Sequence, residues 1–288
     1  MGGVTAYIDA AALRVVAEEL AIQAAAFVRR RRPEVFAYAH GSPVRSKSTR
    51  TDPVTVVDTE SERLLRDRLA AVRPGEAVLG EEGGGSASRQ AEVTWVLDPI
   101  DGTVNFVYGI PAYAVSVAAQ VDGVSVAGAV ADVSGRCVYS AAQGLGAQVA
   151  DVDGQRTPLR CNRVDDLAMA LVGTGFGYAA QRRAAQAAVL AGVLPAVRDV
   201  RRIGSAALDL CMVAAGQLDA HYEHGLRVWD WAAGALIAAE AGAVVHLPAA
   251  GSAEDALTVA AAPGISAQLV GLLARLGAAE TLPDRGRR

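Results

Sequence analysis

The sequence predicts a mixed α/β or α+β fold built in packed layers. Three observations carry this. Helical apolar patterns occur near the start of the chain and recur in its C-terminal half. Short β-branched segments follow one another at regular spacing in the middle. Beyond about residue 150, helical and strand-like segments alternate. The 288 residues, 52% of them hydrophobic, suffice for a sizeable core. No long Pro/Ser/Gly stretch divides the chain, so one domain over 1–288 is expected, with an N-terminal α+β half to about 150 and a C-terminal α/β half from about 151.

The first element is a helix over Ala11–Arg31. Leu13, Val16, Leu20, Ala24, Phe27 and Val28 share one side, Glu18 and Glu19 come early, and Arg29 to Arg32 form a solvated end stopped by Pro33. Residues 39–52, with Gly41, Pro43 and Lys47, read as an exposed loop. A second helix runs from Asp58 to Ala71 and buries Leu64, Leu65 and Leu69; Ala77–Leu79 is strand-like; Gly80–Gln90 is a second loop. Strands are expected over 93–97, 112–121, 124–130, 137–141 and 147–149. Asp122-Gly123, Ser134-Gly135 and Gly144 mark hairpin turns, which makes this an antiparallel meander. Helices follow over 182–197, 205–215 and 229–241, with strands over 218–222, 243–247 and 257–261, and Pro263 opens a last helix.

Composition excludes several classes of function. The formal net charge is -4, which offers no basic footprint for nucleic acid. Cys137, Cys161 and Cys211 are odd in number and lack metal-ligand spacing, which fits a reduced cytoplasmic protein. There is no secretion-signal pattern, and the longest apolar stretch, near Trp231–Ala239, is too short to span a bilayer. A soluble cytoplasmic protein is expected. His40, His221, His224 and His246 are scattered and read as surface or core residues, and Arg201-Arg202 as exposed charge.

The chemistry centres on Asp98-Pro99-Ile100-Asp101-Gly102-Thr103, which follows the hydrophobic strand ending at Leu97. Pro99 stiffens the turn, and Gly102 lets backbone bend and ligand approach. Asp98 and Asp101 can then face one small volume, where they repel each other unless a cation lies between them. Magnesium suits the all-oxygen set, since no His or Cys of this stretch favours zinc. Asp-Pro and Asp-Gly are also common turn dipeptides; the whole hexapeptide directly after a strand is more specific. Glu81, in Gly80-Glu81-Glu82-Gly83, reads alone as a solvated acidic turn, or as a carboxylate completing a metal shell. Asp230, in Val228-Trp229-Asp230-Trp231-Ala232-Ala233-Gly234, is either an N-cap or a metal ligand, and the small residues after it let the helix approach closely. Asp58, closing Asp52-Pro53-Val54-Thr55-Val56-Val57-Asp58, either caps a helix or polarises a hydroxyl such as that of Thr103. Several carboxylates at strand ends and helix starts, with no histidine base, suit metal-assisted hydrolysis of a phosphate ester.

These motifs resemble the inositol monophosphatase family, within the lithium-sensitive, magnesium-dependent phosphatases, and most of all its actinobacterial SuhB-type branch. The matching segments are Lys47 to Asp58, Gly80-Glu81-Glu82, Trp95 to Phe106, and Gly204-Ser205-Ala206-Ala207 through Gly234. The resemblance implies a layered αβαβα sandwich of the inositol monophosphatase/fructose-1,6-bisphosphatase type, a homodimer, and hydrolysis of inositol-1-phosphate with two or three Mg2+ ions. It implies that Glu81, Asp98 and the Ile100 carbonyl hold a first ion, Asp98, Asp101 and Asp230 a second, and that Glu81 helps to hold a third. Thr103 bonded to Asp58 would orient the attacking water. Amides of Gly102 and Thr103 would hold phosphate, Glu223 would bind inositol hydroxyls, Ala206 would lie near the ring, and Asp230 would also contact substrate. The departures are Thr49-Arg50 after Lys47-Ser48, Val104 for a second Thr, and Trp231 for a smaller residue. Phosphatases acting on fructose-1,6-bisphosphate, NADP, histidinol phosphate or adenosine bisphosphate share this metal site. Some SuhB-type proteins bind the transcription machinery, which is a reading of a different class.

Overall fold

The computed structural model describes residues 9–37, 44–47, 53–85, 92–248, 256–279 and 282. His40, Thr49, Arg50, Asp52 and the far end of the Gly80–Gln90 loop lie outside them.

Helix α1 (Ala10–Ala37) buries Leu13, Leu20, Ala24 and Val28 of the stripe read in the sequence, together with Ala17 and Ala21, while Val16 and Phe27 are only partly buried. It does not stop at Pro33, which lies inside it. Proline forfeits one helical N–H. Side-chain contacts on either side of it offset that loss: Arg32 Nε donates to the Phe106 carbonyl at 2.8 Å, and Phe36 packs edge-on against Phe106 with centroids 5.6 Å apart. The arginine cluster is therefore only partly solvated. Arg31 pairs with Glu60 at 2.8 Å, and Arg32 is half-buried. Glu18 is not a dipole partner at the helix start either. It is buried a third of the way along, where it accepts from Gln148 at 3.1 Å and from Ser140 and Arg156 at 2.6 Å.

A two-stranded ribbon, β1 (Val44–Ser46) and β2 (Pro53–Thr55), leads into α2 (Val56–Val72). Next come β3 (Ala77–Gly80), β4 (Thr94–Asp101), the short helix α3 (Thr103–Tyr108), β5 (Ala114–Val121), β6 (Val124–Asp132), β7 (Cys137–Ala142), β8 (Ala147–Ala150) and β9 (Arg156–Pro158). Strands β3 to β9 form a seven-stranded sheet in chain order. β3 is parallel to β4 and every later pair is antiparallel; the turn residues predict the three hairpins from β5 to β8, whereas β9 is not expected from the sequence. The remaining elements are β10 (Leu171–Thr174), α4 (Ala180–Val193), β11 (Asp199–Arg201), α5 (Ala206–Ala214), β12 (Ala220–His224), α6 (Val228–Glu240), β13 (Val244–His246), β14 (Leu257–Ala261) and α7 (Pro263–Arg275). Their five strands form a second sheet in the order β11-β10-β12-β14-β13.

The layers alternate. Helices α1 and α2 cover one face of the large sheet, and α5 and α6 lie between the two sheets. α4 and α7 cover the far face of the small sheet. Four apolar cores fill the four gaps. The middle layer is tight because its residues are small. A Cβ on Gly234 would lie 2.9 Å from Leu210 Cβ, and Ala233 packs on Gly128 of β6. The expected αβαβα sandwich is the observed fold. No helix among the described residues is long and apolar enough to cross a membrane.

Candidate active site

Asp98 and Asp101 lie three residues apart on β4. A regular strand alternates its side chains, so that spacing would send them to opposite faces. The register shows why it does not. Asp98 pairs with Ser116 and Asp101 with Ala114, three steps on β4 against two on β5, which is a β-bulge. One extra residue restores the same face for both carboxylates. Pro99, which has no N–H to offer a ladder, sits inside the bulge. Asp98 Oδ1 accepts from the Ile100 amide at 3.0 Å and is 1% exposed.

Gly102 then turns the chain with φ +91°, and a Cβ there would lie 2.9 Å from the Ala112 carbonyl. Helix α3 starts at Thr103, whose hydroxyl lies 3.1 Å from Asp58 Oδ1 and 3.0 Å from the Ile100 carbonyl. Asp58 is fully buried in the first turn of α2, and its Oδ2 accepts from the Thr55 amide at 2.9 Å. Asp58 is the third residue of α2 rather than its N-cap: it closes a capping box with Thr55, the N-cap, and its other oxygen is within hydrogen-bond reach of Thr103.

Asp230 is the third residue of α6 rather than its N-cap, and its Oδ2 accepts from the Arg227 amide at 2.6 Å. Ser116 Oγ donates to the Trp229 carbonyl at 3.3 Å and ties that helix start to the sheet beside Asp98. One oxygen each from Asp98, Asp101 and Asp230 lies within 4.8 Å of the others. Glu81 stands beside this group rather than inside it. Asp98 is its electrostatic neighbour on one side, and Lys47 Nζ donates to Glu81 Oε1 at 2.8 Å on the other. Its turn is half-buried and fixed, not a free acidic loop. Glu62 accepts from the Glu82 amide at 2.7 Å, the Gly83 amide at 2.9 Å and Arg66 Nε at 2.7 Å.

Electrostatics make the cluster costly without a counter-charge. Burial pushes the Asp98 and Asp230 carboxyls well above their ordinary range, and their acidic neighbours push them further. Burial raises Glu81 too, against the pull of Lys47. Asp58 is raised to about 6 by burial; Asp101 is raised to about 6 by burial although Ser205 and the Ala207 amide, at 2.8 Å, hold its charged form. All these donors are carboxylate or carbonyl oxygens, a set that fits a hard divalent cation.

Beside the acidic group, Ala206 opens α5, and Glu223 on β12 is within electrostatic reach of Asp101 and Asp230. A Cβ on Gly175 would lie 2.1 Å from Glu223 Oε2, so bare backbone makes room for this carboxylate, which burial raises to about 8. Sequence reading missed four participants: Glu62 under the Glu81 turn, Ser205 as the partner of Asp101, and the pair Asp209 and His221 behind Glu223. Ser205 alone had a signal, since it stands at an N-cap position before an apolar helix. Two further histidines are structural: His224 Nε2 lies 2.6 Å from the Ala278 carbonyl and His246 Nε2 3.3 Å from Ser266 Oγ.

A five-layer sandwich with carboxylates converging at a bulged strand end defines an α/β protein built around an acidic, cation-accepting site. The chain belongs to the inositol monophosphatase family, whose sequence profile matches residues 9–278. It is thus an enzyme, a phosphatase. An inositol-1-monophosphatase of Mycobacterium leprae is 67% identical over 286 residues, 96% of this chain and 98% of that one. The solved structure of Mycobacterium tuberculosis SuhB superposes with a TM-score of 0.82 at 61% identity, covering 95% of this chain and 100% of that one. A Nus factor SuhB of Pasteurella multocida is 39% identical over 200 residues, 69% of this chain and 73% of its own length.

Proposed function

We propose that this phosphatase hydrolyses inositol-1-phosphate to inositol and phosphate with magnesium at the acidic cluster. The observation that carries the reading is the convergence of Asp98, Asp101 and Asp230 oxygens within 4.8 Å. In this reading Glu81, Asp98 and the Ile100 carbonyl hold one ion, and Asp98, Asp101 and Asp230 another; Glu81 helps to hold a weaker third. Bound there, magnesium would offset the charge of the phosphate and acidify the attacking water.

The protein groups do the positioning. The Thr103 hydroxyl has its proton directed to Asp58 or the Ile100 carbonyl, so its oxygen is free to accept from a water whose lone pair then faces phosphorus. Asp58, raised to about 6, is a better proton acceptor near neutrality than an ordinary aspartate. Amides of Gly102 and Thr103 hold phosphate oxygens. Water adds to phosphorus, the ester P–O bond breaks, and a proton goes to the departing inositol oxygen. Glu223 accepts from ring hydroxyls, Ala206 leaves space for the ring, and Asp230 borders it. We further propose one domain, a homodimer, a cytoplasmic location that suits three unpaired cysteines, and inhibition by lithium.

Phosphate release from inositol-1-phosphate, fructose-1,6-bisphosphate and NADP, each with and without magnesium, tests the reading. Inositol-1-phosphate should be the best substrate, and only with the metal. Faster turnover of either other ester would favour a broader sugar or nucleotide phosphatase. The relative named as a Nus factor favours a second role as a partner of the transcription machinery. Pull-down with an Asp98→Asn variant would separate that binding from catalysis.

A further inference from the structure

Strand β12 places His221 and Glu223 two residues apart, on one face. On the parallel neighbour β10, Gly173 pairs with His221. A Cβ at Gly173 would lie 3.2 Å from His221 Nδ1 and 3.1 Å from Asp209 Oδ1. Gly173 and Gly175 thus leave a slot against the sheet, and three polar side chains occupy it in a row. His221 Nδ1 lies 3.7 Å from Asp209 Oδ2, and His221 Nε2 lies 3.7 Å from Glu223 Oε2. His221 is 0% exposed and Asp209 1%. Both ring nitrogens and Asp209 Oδ1 have no hydrogen-bond partner among the described residues.

Buried polar atoms are normally satisfied, and three orphans in one row need a reason. Closing each gap to hydrogen-bond distance takes a movement of less than about 1 Å. The row also has a direction. Burial holds the imidazole neutral, with its pKa lowered to about 3, and pushes the Asp209 carboxyl well above its ordinary range, toward the protonated form. Asp209 O–H can then donate to Nδ1, which leaves the ring proton on Nε2, facing Glu223. Arg202 and Asp101 are the other charged groups acting on both carboxyls.

We propose that His221, steered by Asp209, is a positioning residue that donates Nε2–H to Glu223 and so prepares that carboxylate to accept polyol hydroxyls. This rests on the reading of Glu223 as the contact to inositol. An N–H aimed at a carboxylate favours its charged, acceptor form. The arrangement would act on recognition of the ring and leave the transfer of phosphate untouched.

The test measures kcat and KM for inositol-1-phosphate and for phenyl phosphate, which lacks ring hydroxyls, with magnesium present. Wild type should prefer inositol-1-phosphate, and Glu223→Gln should lose that preference. His221→Phe should raise KM for inositol-1-phosphate about tenfold, the scale of one ordinary hydrogen bond, with phenyl phosphate changing less than about twofold. His221→Gln, whose amide reaches toward the Nε2 position, should recover most of the loss. Asp209→Leu should repeat the KM rise, and Asp209→Asn, still able to donate to Nδ1, should show less of it; this pair decides the matter if His221→Phe does not fold. Equal effects on both esters, or no effect of either apolar variant, would overturn the inference. A preference lost in Glu223→Gln but kept in His221→Phe overturns it while leaving Glu223 in place. No preference in wild type removes both.

Discussion

The Thr103 hydroxyl lies 3.1 Å from Asp58 Oδ1, although 45 residues separate the two along the chain. A hydroxyl has one proton, and here it has two acceptors, Asp58 and the Ile100 carbonyl at 3.0 Å. Whichever takes it, the oxygen keeps a lone pair for a further donor. That is what orienting a water requires.

Replacing Thr103 with Ala should therefore lower kcat by about 100-fold or more, within the range of general acid–base contributions, with KM changing little. Thr103→Ser keeps the hydroxyl and should retain much of the rate. Steady-state kinetics on both variants check this. A rise in KM at unchanged kcat would argue against a role in water activation.

Ser205 donates to Asp101 from the cap of the middle-layer helix α5. Groups that orient a ligand side chain typically change metal affinity by about 10–100-fold when lost. Ser205→Ala should raise the magnesium concentration for half-maximal activity accordingly. A magnesium titration of activity reads the shift, with Leu273→Ala, a change in the buried core under α7, as the control for general destabilisation.

Gly102 holds φ +91°, and a Cβ there would meet the Ala112 and Gly204 carbonyls at 2.9 and 3.1 Å. Gly102→Ala should cost about 1–3 kcal/mol of stability, the usual scale of a strained residue. It should also reduce activity, because the same turn aims Thr103. Chemical denaturation and kinetics on one preparation test the two effects together.

Asp58 is raised by burial from 3.8 to about 6. The folded protein then holds a proton between about pH 4 and 6 that the unfolded chain has released. A raised carboxylate thus costs stability as pH climbs through that window, and the cost is complete above the folded pKa. Asp58→Asn mimics the protonated form. In metal-free protein, its stability relative to wild type should grow from pH 4 to 6 and then level off. A difference independent of pH, in denaturation curves across that range, would contradict the assigned environment.

Much of this was legible in the sequence. The α1 stripe, the meander with its turn residues, and the helix from Pro263 follow from local pattern. Leu171–Thr174 and Asp199–Arg201 were not foreseen as strands: one is four residues long and the other three, too short for a visible alternation. The helix end at Pro33 was misread because Phe36 and Arg32 find partners 70 or more residues away, on Phe106. At the site, carboxylates adjoining Gly and Pro stood out. Glu62, Asp209 and His221 did not: Glu62 is one acid in the polar run Asp58–Arg63, and a lone acid or histidine within an apolar pattern carries no local signal. The bulge that turns Asp98 and Asp101 to one side is visible only in the register with β5.

The central claim is that Asp98, shared by both proposed ion positions, anchors the metal on which turnover depends. Magnesium-dependent phosphate release from inositol-1-phosphate by Asp98→Asn, with calorimetric magnesium titration of the same sample, tests it most directly. The account predicts a folded protein with turnover abolished and magnesium binding weakened. Wild-type turnover with wild-type magnesium dependence would contradict it.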